Sequence, residues 1–147
     1  MTLSWHIVFS LPLGASVYAL HGDPELAAIS MAASVLIDVD HGLDYIVENR
    51  KINSVYEMIR SVFSGAGKTK LYCFLHSWEM LGVLAIITTL FHSPTLEITL
   101  AGLGYHMICD QIYWTVVDKK LKPQAYFIFI RARYNYELAA LTVTERT

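Results

Sequence analysis

Hydrophobic residues dominate four long stretches of the chain, at about 3–20, 26–47, 71–91 and 95–117. Each stretch is close to the roughly 20 residues that a helix needs to cross the ~30 Å hydrocarbon core of a bilayer. The connections at 21–25 and 92–95 are short, and each contains a proline, Pro24 or Pro94, of the kind that begins a helix. The pattern therefore predicts an all-α fold in which residues 1–147 form a single domain, an integral membrane four-helix bundle.

Basic residues occupy only two parts of the chain. Of the 11 Lys and Arg residues, five lie between residues 50 and 70, and the other six lie beyond residue 118. With four membrane crossings both regions fall on one side, which the positive-inside rule identifies as the cytoplasm. We therefore expect a multi-pass cell-membrane protein with both termini in the cytoplasm and a cytoplasmic loop at 48–70. A soluble bundle with very apolar helices is the alternative.

The region after the fourth stretch mixes aromatic residues with arginine, at about 124–141. This composition predicts an amphipathic helix at the membrane interface, and a solvated tail packed on the bundle is the alternative. The net charge of −2 gives no reason to expect a nucleic-acid partner. The two cysteines, Cys73 and Cys109, show no motif spacing and are interpreted as reduced packing residues.

Ionisable residues interrupt all four apolar stretches at a similar depth. Counted from the predicted extracellular ends at 1.5 Å per residue, they lie roughly 17–22 Å along their helices. An isolated His6, or a His76–Glu79 pair, is equally typical of a helix end, but convergence of four helices favours a common site. The candidate metal ligands are His6, Asp38, Asp40, His41, His76, Glu79, His106 and Asp110.

The chemistry of this set favours metal binding. Neighbouring carboxylates such as Asp38 and Asp40 repel each other unless a cation lies between them, and the set contains no Lys or Arg. Mixed imidazole and carboxylate ligands suit Zn²⁺, Mn²⁺ or Fe. The number of groups indicates two divalent ions with Asp40 as a bridge. Glu79 and Asp44 are the candidates for a catalytic general base.

Three motifs resemble those of the bacterial membrane-bound metal-dependent hydrolases: Asp-x-Asp-His at 38–41, His76–Ser77, and His-x-x-x-Asp at 106–110. The resemblance covers roughly residues 5–115 and implies a small inner-membrane hydrolase. Leu71 stands where the family often has another histidine, and Glu79 is the predicted replacement. The order of the motifs is distantly similar to that of zinc-dependent phospholipase C.

Together these features predict a hydrolase that cleaves a phosphoester of a lipid or amphiphilic substrate at the cytoplasmic leaflet with a metal-activated water. Basic side chains would attract the anionic headgroups, namely Lys68, Lys70, Lys119, Lys120 and Arg131. The alternatives are a metal or proton transporter, a haem or redox four-helix protein with histidine axial ligands, and an interaction protein. A transporter requires polar groups through the whole membrane depth, whereas the extracellular half offers only Ser and Thr.

Overall fold

The computed structural model describes residues 3–50, 54–64 and 69–143, so Lys68 lies outside the described residues. The predicted all-α fold is confirmed over these residues. The helices are α1 (Leu3–His21), α2 (Pro24–Leu36), α3 (Asp40–Asn49), α4 (Val55–Ser64), α5 (Trp78–Phe91), α6 (Pro94–Ile112), α7 (Ile128–Arg133) and α8 (Leu138–Leu141). A 3₁₀ turn at Ile37–Val39 joins α2 to α3, and a π-helical turn at Tyr113–Val117 extends α6. A second 3₁₀ turn, Pro123–Tyr126, precedes α7.

Capping residues decide where two of the long helices begin. Asp23 accepts the backbone N–H of Glu25 at 2.8 Å, which starts α2 with Pro24 in its first turn. Ser77 accepts the N–H of Met80 at 3.2 Å and so starts α5 at Trp78. The third predicted helix, 71–91, therefore begins seven residues late, and 71–77 form a loop.

Helix α2 packs against both α1 and α6 through small residues. A Cβ atom on Gly102 of α6 would lie 2.5 Å from the Ser30 carbonyl oxygen and 2.9 Å from the Ala33 Cβ. On the same helix, Gly104 has open space around it. The close approach brings α6 against the end of α2, where Ile37 and Met107 form a buried cluster with Leu81 and Tyr126.

Apolar side chains cover much of the outer surface. Leu20 is 81% exposed, and Leu90 and Phe91 are each 71% exposed. Within the described residues, one helical run, Pro24–Asn49, is long and apolar enough to cross a membrane by length and composition. Helix α5 is apolar but shorter than a span. Four membrane crossings therefore remain a prediction.

The C-terminal segment differs from the predicted helix at 124–141. Asn135 and Tyr136 have positive φ angles of 51° and 61°, which end α7 and separate it from α8. The segment is attached to the 71–77 loop, because the Leu71 N–H donates to the Tyr136 carbonyl at 2.8 Å. Arg131 is 0% exposed, so the expectation that it faces lipid headgroups is wrong.

Candidate metal centre

The 3₁₀ turn between α2 and α3 directs two carboxylates to different partners. Asp38 and Asp40 are both buried, whereas Val39 between them is exposed. Residues two apart on a helix point in different directions. Asp38 faces histidines of α1 and α6 and the Nε2 atom of His76, while Asp40 faces the Nδ1 atom of His76 and the loop that carries it.

Four buried side chains surround one point, and we call them the deep group: His6, Asp38, His106 and Asp110. The His6 Nε2 atom lies 3.6 Å from Asp38 Oδ2 and 3.4 Å from Asp110 Oδ1. The His106 Nε2 atom lies 3.6 Å from Asp38 Oδ1 and 3.6 Å from Asp110 Oδ2. These separations exceed ordinary N–H···O distances of about 2.7–3.2 Å. With one ligand atom taken from each residue, the four atoms all lie within 4.8 Å of one another, so the deep group could hold a metal ion.

A hydrogen bond orients His106 toward this point. Its Nδ1 atom lies 2.6 Å from the backbone carbonyl oxygen of Ser34. A carbonyl oxygen only accepts, so Nδ1 is the donor and the neutral ring carries its lone pair on Nε2. Fixing the second nitrogen in this way is how proteins orient histidine ligands.

His76 joins the deep group from the loop before α5. Its Nε2 atom lies 3.1 Å from His106 Nε2 and 3.4 Å from Asp38 Oδ1. On the other side of the ring, Asp40 Oδ2 lies 3.5 Å from Nδ1 and accepts the Leu75 N–H at 2.7 Å. Asp40 thus holds the loop and His76. Asp38, which faces several imidazoles, is grouped with the possible ligands and Asp40 is not, so the role of Asp40 as a bridge between two ions stays a prediction.

A second set of possible ligands contains a cysteine, and we call it the thiol group: His41, Cys73 and His76. The Cys73 Sγ atom lies 2.8 Å from His41 Nδ1 and donates to Asp44 Oδ2 at 2.8 Å. Asp44 Oδ1 also accepts the Cys73 N–H at 2.7 Å. Both oxygens of Asp44, which the sequence predicts as a general base, therefore accept hydrogen bonds from Cys73. The sequence interpretation missed Cys73, although a cysteine three residues before a histidine is a short ligand spacing.

Glu79, predicted as a ligand and a base, belongs to neither group of possible ligands. Its Oε1 atom accepts the backbone N–H of Phe129 at 3.3 Å. Its Oε2 atom is buried and has no hydrogen-bond partner within the described residues. Glu79 therefore faces the C-terminal segment, where its charge interacts with that of Arg131.

Arg131 connects the C-terminal segment to the loop that carries both Cys73 and His76. Its Nη1 atom donates to the carbonyl oxygens of Tyr72 at 2.6 Å and Cys73 at 2.8 Å. Its Nη2 atom donates to the carbonyl oxygen of His76 at 3.0 Å. Burial lowers the pKa of the Arg131 guanidinium, and nearby groups including Cys73 oppose this effect. Sequence periodicity gave no signal for this contact, which joins residues more than 50 positions apart.

A small cavity of about 40 Å³ lies between the two groups and the C-terminal segment. His76 and Asp110 line it from the metal-binding side, and Tyr126 and Arg131 line it from the C-terminal side. The possible ligands are thus accessible to a small group in the cavity.

Comparison of the chain with protein-family models, curated proteins and solved structures gave no match. The resemblance to metal-dependent hydrolases therefore depends on the motifs alone.

Proposed function

We propose that this chain is a membrane-embedded metal-dependent hydrolase that cleaves a phosphoester of a lipid or amphiphilic substrate at the cytoplasmic leaflet. The observation that carries the proposal is the convergence of the deep group, whose four buried residues each offer a ligand atom within 4.8 Å of the others. Carboxylates buried beside imidazoles, with no Lys or Arg among the four residues, are stabilised by a bound cation. The donor atoms suit two divalent ions, Zn²⁺, Mn²⁺ or Fe.

The chain's own residues supply binding and orientation. His6, Asp38, His106 and Asp110 would hold one ion, with Ser34 fixing the ring of His106. Bound divalent ions act as Lewis acids on phosphoryl oxygens and lower the pKa of water. The adjoining cavity is lined by His76 and Tyr126 and lies beside the possible ligands. Phosphoester hydrolysis is the reaction that this combination supports best.

The membrane location is supported by the surface. Side chains such as Leu20 and Leu90 lie exposed on α1 and α5, and soluble monomers rarely expose large contiguous apolar patches. Insertion of these helices in a bilayer would bury those side chains. The basic residues, confined to 50–70 and beyond 118, would then lie together at the cytoplasmic surface.

Two alternatives fit less well. A haem would need space between its axial histidines, but the rings of His6 and His106 stack with centroids 4.3 Å apart. A transporter would need a polar path, but the buried hydroxyls of Ser30 and Thr88 donate to carbonyls of their own helices. Such hydroxyls are satisfied locally and do not require a transported ion.

The test is phosphate or headgroup release by the detergent-purified protein from a panel of phospholipids and isoprenyl phosphates, with and without a chelator. We expect metal-dependent release, and loss of bound metal and of release in His106→Ala. His21→Ala, which changes an exposed histidine at the end of α1, is the matched control and should behave as wild type. Release that persists in chelator, or in the His106 variant, would contradict the proposal.

A further inference from the structure

Cys73 is held in an environment that packing alone does not require. It is 1% exposed, and its Sγ atom lies 2.8 Å from both His41 Nδ1 and Asp44 Oδ2. Its backbone φ angle of 31° is unusual for a residue with a side chain. Asp44 accepts its N–H, and Arg131 donates to its carbonyl, so contacts on both sides maintain this conformation.

The nearest ligand atoms form a donor set that differs from the deep group. The ligand atoms of His41, Cys73 and His76 lie within 4.8 Å of one another. Catalytic zinc sites have three protein ligands drawn from His, Cys and carboxylate residues and keep a fourth position open, and two imidazoles with one thiolate fit this general pattern. The deep group offers nitrogen and oxygen only, whereas sulfur selects thiophilic cations.

We propose that His41, Cys73 and His76 form a second metal site, chemically distinct from the deep group, which takes a thiophilic divalent cation such as Zn²⁺. The proposal deepens the proposed function and rests on it, because His76 faces both groups. Its ring stacks on that of His41 with centroids 4.7 Å apart, while its Nε2 atom faces His106. The two ions of the proposed hydrolase would then occupy unlike sites.

Ion binding at this site involves a balanced proton exchange. In the ion-free protein the Cys73 thiol keeps its proton and donates a hydrogen bond to Asp44 Oδ2. A bound cation replaces this proton, which leaves to solvent as the thiol becomes a thiolate ligand. The same cation offsets the repulsion between a thiolate and the Asp44 carboxylate. Asp44 positions Cys73 through the Cys73 N–H in both states, and through the thiol in the ion-free state.

The first experiment is titration of the metal-free protein with Co²⁺, which gives a near-ultraviolet charge-transfer band only when a thiolate is a ligand. We expect this band in wild type and in Cys109→Ser, and its absence in Cys73→Ser. Cys109 is the other cysteine of the chain and is half-buried on α6, so its variant is the matched control. Bound metal should fall by about one ion per chain in Cys73→Ser only.

The second experiment does not depend on folding of a variant. X-ray absorption of zinc-loaded wild type should show a sulfur neighbour of zinc at about 2.3 Å, together with nitrogen and oxygen neighbours. Metal that binds with no sulfur neighbour and no charge-transfer band would overturn the thiol site while leaving the deep group intact. A band that persists in His106→Ala, without hydrolysis by any form of the protein, would instead support the thiol site and count against the proposed hydrolase.

Discussion

Replacement of Arg131 by methionine should weaken metal binding even though Arg131 touches no ion. The side chain donates to three carbonyl oxygens of the loop that carries Cys73 and His76. Hydrogen bonds from a charged donor contribute about 1.5–3 kcal/mol each, which gives roughly 4–9 kcal/mol for three. Burial of the guanidinium costs several kcal/mol, which methionine avoids, so the net loss in loop stability is about 2–4 kcal/mol.

This loss lowers the apparent affinity for metal through the fraction of protein in which the loop is ordered, because the ion binds only the ordered loop. At about 1.4 kcal/mol per tenfold, the apparent affinity for Zn²⁺ should fall by up to roughly 30- to 700-fold, and the full factor applies to a loop that is only marginally ordered in wild type. The measurement is competition against a zinc-sensitive chelating dye, with circular dichroism to verify that the helices remain.

Two further variants make this prediction specific. Arg133→Met changes an exposed arginine two residues away on the same helix, so its zinc affinity should equal that of wild type. Arg131→Lys keeps the charge but loses the planar fork, so its affinity should be intermediate. If Arg131→Met binds zinc as tightly as wild type while its helices are intact, the guanidinium does not position the ligands. If the methionine variant does not fold, equal affinities of the lysine variant and wild type would refute the reasoning.

The remaining predictions concern packing, ligand orientation and topology. Gly102→Ala places a Cβ atom 2.5 Å from a backbone oxygen of α2 and should destabilise the protein by about 1–3 kcal/mol in thermal unfolding. Gly104→Ala, whose Cβ atom meets open space, should be near neutral, and equal unfolding midpoints for the two variants would contradict the close helix contact. The Asp40→Asn variant should still bind metal, but its affinity for metal should be about 10- to 100-fold lower, because Asp40 orients His76. Complete loss of metal would instead place Asp40 among the ligands. A cysteine reporter at Ser93 should be labelled only from the extracellular side of intact cells; labelling from the cytoplasm would reverse the topology.

The long helices were predictable because their signals are local. Pro24 and Pro94 follow short polar residues, and the apolar runs after them have helical length, so α2 and α6 begin close to the predicted positions. The predicted start of α5 is too early, because the apolar residues 71–75 continue the hydrophobic pattern of the helix although they form a loop. Ser77 was the overlooked signal, since serine is a favoured N-cap.

The site was predictable only in part, because local signals place residues along a helix but do not show how loop residues meet. Depth along the helices placed His6 and His106 at one level, and the structure brings their rings together. Depth does not determine which way a side chain points from a loop. Glu79 was expected among the ligands because the helix was extended back through His76. The contacts of Cys73 and Arg131 depend on chain segments that meet only in three dimensions, and no sequence period encodes them.

The distance along the chain between Arg131 and the loop it holds has a consequence for biosynthesis. The guanidinium donates to a carbonyl oxygen 58 residues earlier. At about 5–20 residues per second, a ribosome adds Arg131 roughly 3–12 s after Cys73. During that interval the carbonyls of the loop have no guanidinium to hold them, and the ligands on the loop are not yet fixed. Stable loading of the proposed metal centre would therefore follow the emergence of the C-terminal segment, so the order of translation would delay acquisition of the ion until the helices that enclose it have been made.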